Sequence, residues 1–177
     1  GLPYTFEFNK NNLDSLDISV NIEEIKYMFK ETIKKILDSI ILFKFKPEDL
    51  ATYQVCINNN RDPIFIDIAS GIEVALNKRG LMKILTKSLF EIVESLYYSP
   101  IFSMCIKENN YLYCSKKNKS GNYINIIEEI SEIRLLYSPE EINSRKLDTI
   151  RKKYPILEEY FRKVEALPND EFDKIKE

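Results

Sequence analysis

Apolar residues recur at three- and four-residue spacing from residue 81 onward: Leu81, Ile84, Leu85, Leu89, Ile92, Val93 and Leu96. That period predicts a helix over residues 81–98 with one buried face. Gly80 precedes it and Ser99-Pro100 ends it, because proline drives the preceding residue out of the helical region. A second stripe, Ile22, Ile25, Phe29, Ile33, Ile36, Leu37, Ile40 and Ile41, predicts a helix over residues 21–43. Asn21 stands at its N-cap and Glu23 and Glu24 in its first turn, where the helix dipole favours negative charge.

Elsewhere the pattern alternates. Tyr4, Phe6 and Phe8 share one face of a first strand, and residues 13–20 form a weaker one. Residues 53–57 and 63–68 read as strands joined by the turn formers of 58–62. Residues 72–76 read as a third strand or as a short helix leading to Gly80. Residues 101–107 and 111–116 form the clearest hairpin, around Asn109-Asn110. A two-residue turn there places Glu108 opposite Tyr111 and Cys105 opposite Cys114, the latter at a non-hydrogen-bonded position. The face carrying Phe102, Met104, Ile106, Tyr111 and Tyr113 is expected to meet the core. The opposite face carries Ser103, Cys105, Lys107, Leu112, Cys114 and Lys116.

Residues 123–127 are read as a strand, although Ile126, Ile127, Ile130 and Ile133 also fit a helix. Ser138-Pro139-Glu140-Glu141 is a helix start of capping-box type, expected to run to about Lys153. Residues 155–167 form a last helix with Leu157, Tyr160, Phe161 and Val164 inward, stopped by Pro168. A charged tail follows and is expected to fray.

These elements predict an α+β fold: a mostly antiparallel sheet packed against two long amphipathic helices, with a helical C-terminal appendage. The expected organisation is a core over residues 1–137, a helical pair over 138–167 and a tail over 168–177. At 177 residues, 44% of them hydrophobic, the chain can build a core of its own. The formal net charge of −2 makes no case for nucleic acid or an anionic membrane. No apolar run approaches the roughly 20 residues of a spanning helix.

The chain has no histidine. That removes Ser-His-Asp and Cys-His catalysis and most catalytic zinc sites, but leaves carboxylate, lysine and cysteine chemistry. Its four glycines form neither common phosphate-binding motif. Cys105 and Cys114 are either two reduced thiols facing one another or a cross-strand disulfide, which implies an oxidising compartment. Cys56 is expected to be buried and inert. Asp67 and Glu73 are the pocket candidates, with an outward strand position as the competing reading. Tyr111, Tyr113 and Tyr123 beside Lys116, Lys117 and Lys119 have the make-up of a single-strand nucleic-acid platform, against which the net charge argues. Tyr154, Tyr160 and Phe161 are the candidate partner surface, with core packing as the alternative.

The function expected from these features is a non-catalytic protein–protein interaction or assembly module, alone or as a piece of a longer chain. A ligand-binding or enzymatic domain with an acidic pocket is the alternative, and single-stranded nucleic-acid binding the next. No metal or cofactor is expected. The partner is expected to be another protein, a second copy included, and a cytoplasmic location is slightly favoured.

Overall fold

The computed structural model of the chain describes residues 17–47, 55–57, 63–65, 71–97, 100–119 and 121–175. Within them the fold is α+β. Strand β1 (Asp17–Asn21) runs directly into helix α1 (Ile22–Phe43). Asn21 makes that switch, because its Oδ1 accepts the N–H of Glu23 at 2.9 Å and of Glu24 at 3.4 Å. Both are donors that the first turn otherwise leaves unpaired. The stripe of α1 is buried at Ile22, Phe29, Ile33, Ile36, Leu37 and Ile40, joined by Met28 and Thr32.

Four short strands follow or flank α1: β2 (Phe45–Pro47), β3 (Val55–Ile57), β4 (Pro63–Phe65) and β5 (Gly71–Val74). Helix α2 (Lys78–Tyr97) begins earlier than its apolar period suggested. Asn77 caps it, accepting the Gly80 N–H on Oδ1 at 2.7 Å, so Gly80 lies inside the first turn. All seven apolar positions of the period are buried.

A 3-10 helix (Pro100–Met104) then replaces the first half of the expected strand. Only β6 (Cys105–Glu108) and β7 (Tyr111–Ser115) make the hairpin. Its register is the one a two-residue turn requires, with Glu108 opposite Tyr111 and Cys105 opposite Cys114. Among the described residues the strands form three antiparallel sheets, β1-β7-β6, β2-β5 and β3-β4, rather than one.

Several further expectations do not hold. The hairpin faces are exchanged: Cys105, Leu112 and Cys114 are buried, while Tyr111 and Tyr113 are exposed. Residues 123–127 are not a strand but the start of α3 (Tyr123–Ser131), which buries Ile126, Ile127 and Ile130 on one face. The helix expected to run from Ser138 to Lys153 is two helices, α4 (Pro139–Ser144) and α5 (Leu147–Lys153), because Arg145 and Lys146 are extended. The capping box at Ser138 and Glu141 is present. Helix α6 (Pro155–Glu165) buries Leu157, Tyr160, Phe161 and Val164. The tail is not wholly frayed, since residues 169–175 form a 3-10 helix with Phe172 buried. The strand expected at residues 4–8 lies outside the described residues.

The chain divides into two compact units. Unit 1 takes the described parts of residues 1–33, 51–66 and 92–134, and unit 2 those of 34–50, 67–91 and 135–177. In unit 1, Lys107 Nζ binds both carboxylate oxygens of Glu129 at 2.7 and 2.8 Å, tying the hairpin to α3. In unit 2, the Tyr160 hydroxyl donates to the Lys34 carbonyl at 3.1 Å, tying α6 to α1. No helix of the described residues is long and apolar enough to cross a membrane.

Candidate functional site

Unit 2 presents its apolar residues at the junction of α1 and β2. At the end of α1 two large apolar residues face water: Leu42, off the stripe, is 68% exposed, and Phe43, in period with Ile36 and Ile40, is 60% exposed. Lys44 then takes a left-handed conformation, φ 58°, that turns the chain from helix to strand within one residue. Its N–H closes the helix on the Ile40 carbonyl at 2.7 Å, and its carbonyl accepts the Ala75 N–H at 2.8 Å. This brings the end of β5 beside the end of α1. Phe45 pairs with Val74 in register, and the Phe43 and Phe45 rings lie 5.9 Å apart. Val74 and Leu76, each 53% exposed, complete an outward apolar set.

The lysines between these residues turn inward. Lys44 reaches Glu171 Oε2 at 3.1 Å, with Nζ 5.9 Å from the Phe172 ring centroid. Lys46 reaches Glu91 Oε2 at 2.9 Å. The short segment thus buries its charged residues and leaves large apolar ones in water, the reverse of the usual distribution at a surface.

A second exposed set lies in unit 1. Tyr111 and Tyr113 project from the outer face of the three-stranded sheet, 43% and 39% exposed, with ring centroids 6.4 Å apart. On the inner face the Sγ atoms of Cys105 and Cys114 stand at bonding distance, 2.07 Å, with Cα atoms 4.1 Å apart. Non-hydrogen-bonded pairs are where opposing backbones come closest.

Charged groups elsewhere in unit 2 are matched to one another. Arg151 Nε bonds Glu158, its other branch meets Glu165 at 2.6 Å, and Arg162 Nε meets Glu158 at 2.6 Å. The Arg151 and Arg162 guanidiniums hold the Glu158 carboxyl below its ordinary range, and Arg151 does the same to Glu165. These ions close α5 on α6 and leave no poised acid or base among themselves. An open hollow of about 660 Å³ borders them, lined by Asp148, Arg151, Lys152, Pro155 and Glu158. Another cavity, beside Lys83, Ile142 and Ile150, holds about 10 Å³, room for one water at most. Among the described residues no group of three or more His, Cys, Asp or Glu could hold a metal ion.

Tyr154, Tyr160 and Phe161 are placed in the core of unit 2, not on a surface. The Tyr154 ring meets Phe90 edge-on at 5.0 Å, and its hydroxyl accepts the Leu136 N–H at 2.9 Å. Burial raises the pKa of that hydroxyl, and the Leu136 bond opposes the rise. Asp67 lies outside the described residues, and Glu73 stands in β5 opposite Lys46 in register. Leu42, Phe43, Val74 and Leu76 were not singled out from the sequence. A signal was present for Leu42, which is large, apolar and off the helical stripe, but not for Phe43, which keeps the i+3 spacing from Ile40 and is exposed all the same.

No protein-family model matches the chain, and comparison with curated proteins and with solved structures gives no significant match.

Proposed function

We propose that the chain is a non-catalytic interaction or assembly module that docks another protein on the α1–β2–β5 corner of unit 2. The observation that carries this reading is the outward set Leu42, Phe43, Val74 and Leu76, each more than half exposed. Leaving four large apolar side chains in water forfeits burial free energy of roughly 1 kcal/mol or more apiece. Clustered exposure of that kind marks a contact surface, whereas scattered apolar residues need no explanation. The buried lysines Lys44 and Lys46, paired to the part-exposed Glu171 and Glu91, hold the corner in shape, so a partner meets a formed surface.

The test compares the wild-type chain with the Leu42→Ser/Phe43→Ser and Val74→Thr/Leu76→Ser pairs, all exposed positions. The expected result is one stoichiometric partner retained by the wild type and lost from both variants. If the partner is a second copy, sedimentation gives twice the chain mass for the wild type and the single mass for the variants. A wild-type chain that is monomeric and retains nothing the variants lose sinks the proposal.

A further inference from the structure

We propose that Tyr111 and Tyr113, with Lys117 and Lys119, form a stacking platform for single-stranded nucleic acid on the outer face of the β1-β7-β6 sheet. The site is separate from the unit 2 corner and does not depend on the reading of that corner. It rests on the exchange of the hairpin faces. Tyrosines turned into a core cannot stack on a ligand, and here both rings are turned outward.

The geometry has three parts. The two rings lie on successive outward positions of one strand, with centroids 6.4 Å apart and planes 39° from one another. That separation is about twice the ~3.4 Å rise per nucleotide of a stacked strand. It therefore suits bases splayed from an unstacked single strand, and not the edge of a duplex. On β1 the residues facing the tyrosines are short and polar, Ser19 opposite Tyr113 and Asn21 opposite Tyr111, while on β6 Ile106 stands opposite Tyr113.

The basic turn that follows is tied to the same strand. Asn118 donates its side-chain amide to the Tyr113 carbonyl at 3.1 Å and its backbone N–H to the Ser115 carbonyl at 3.0 Å. The Lys117 N–H meets Ser115 Oγ at 3.3 Å. Lys117 and Lys119, both exposed, flank Asn118 in this turn at the end of the strand that carries the tyrosines. An acid sits in the same rows, Glu108 opposite Tyr111. The strand is held by ring stacking and two local cations, with no broad positive field behind them. Stacking is indifferent to sequence, because every base has a π-face.

The experiment titrates the full chain into a fluorescein-labelled oligo(dT) of about 12 nucleotides and reads anisotropy at several salt concentrations. Saturable binding is expected. Tyr111→Ala and Tyr113→Ala should each weaken it about fivefold or more, while Tyr→Phe at either position retains it. The Lys117→Gln/Lys119→Gln variant should lower the salt slope by about 1.4, the share of two phosphate contacts. Absence of binding at low salt overturns the proposal. So does binding that both Tyr→Ala variants retain in full, or equal affinity for a duplex of the same length, since either reports charge attraction without stacking. Both tyrosines are exposed, so circular dichroism should show the variants folded.

Discussion

Lys46 Nζ lies 2.9 Å from Glu91 Oε2, although the lysine side chain is only 5% exposed. The pair joins β2 to α2 within unit 2. A buried ammonium is tolerable only with its counter-charge, and removing one partner costs more than the pair itself contributes. Glu91→Gln should therefore destabilise the protein by about 1–3 kcal/mol, discounted from a fully buried pair because Glu91 is part exposed. Replacing both, Lys46→Met with Glu91→Leu, should recover much of that loss. Urea melts of the three chains would decide it, and a double variant no more stable than the single one would contradict the account.

Phe90 and Tyr154 meet edge-on in the core of unit 2, with centroids 5.0 Å apart. Phe90→Ala should cost about 3–5 kcal/mol, from lost burial and the cavity left behind. Tyr154→Phe keeps the ring but removes the acceptor of the Leu136 N–H, and should cost about 1–2 kcal/mol. Thermal unfolding should rank the two in that order. The opposite ranking would make the hydroxyl, and not the ring, the anchor of α5 and α6.

The Arg151 cluster predicts an acid limb in the stability profile. Glu158 and Glu165 have folded pKa values below the ordinary 4.5, held there first by hydrogen bonds from Arg151. They bind protons less readily folded than unfolded. Their contribution is complete above about pH 4.5 and is lost as the pH falls through the folded values. Arg151→Met should make stability between about pH 5 and 2 less steeply dependent on pH. Both carboxylates face water, so about 1 M salt should narrow the difference between variant and wild type. An unchanged acid limb in Arg151→Met would show that other carboxylates set it.

Cys105 and Cys114 should be oxidised in protein protected from further air oxidation. A thiol count on the denatured, unreduced chain should then find one thiol, that of Cys56, and peptide mapping should join the other two. Reduction should lower stability by about 2–3 kcal/mol, the loop-entropy share of a short closed loop. Three thiols would leave the pair as reduced neighbours and remove the argument for an oxidising compartment.

Local periodicity was enough to find α1, α2 and α6, because a 3.6-residue repeat of branched apolar side chains has one way to hide from water. Asn21 and Ser138 marked their helix starts for a similar reason: a capping bond reaches only two or three residues. The hairpin register was legible from Asn109-Asn110, since turn length sets which residues oppose.

What needed the tertiary structure was every choice between two nearly equal faces or conformations. Along β6 and β7 both faces carry apolar groups, and alternation alone cannot say which is inward. Packing chose Cys105, Leu112 and Cys114, small enough to lie close, and left water to Tyr111 and Tyr113, whose hydroxyls accept it. At residues 123–131, Ile126, Ile127 and Ile130 had a core to meet only as a helix. Phe45-Lys46-Pro47 carries no strand signal of its own, because lysine rarely goes inside. It became β2 because Glu91, 45 positions further along the chain, supplies the counter-charge. The candidate corner was hidden for the same reason. Val74 comes opposite Phe45, whose ring meets Phe43, only when β5 folds back on the end of α1, and no local pattern encodes that meeting.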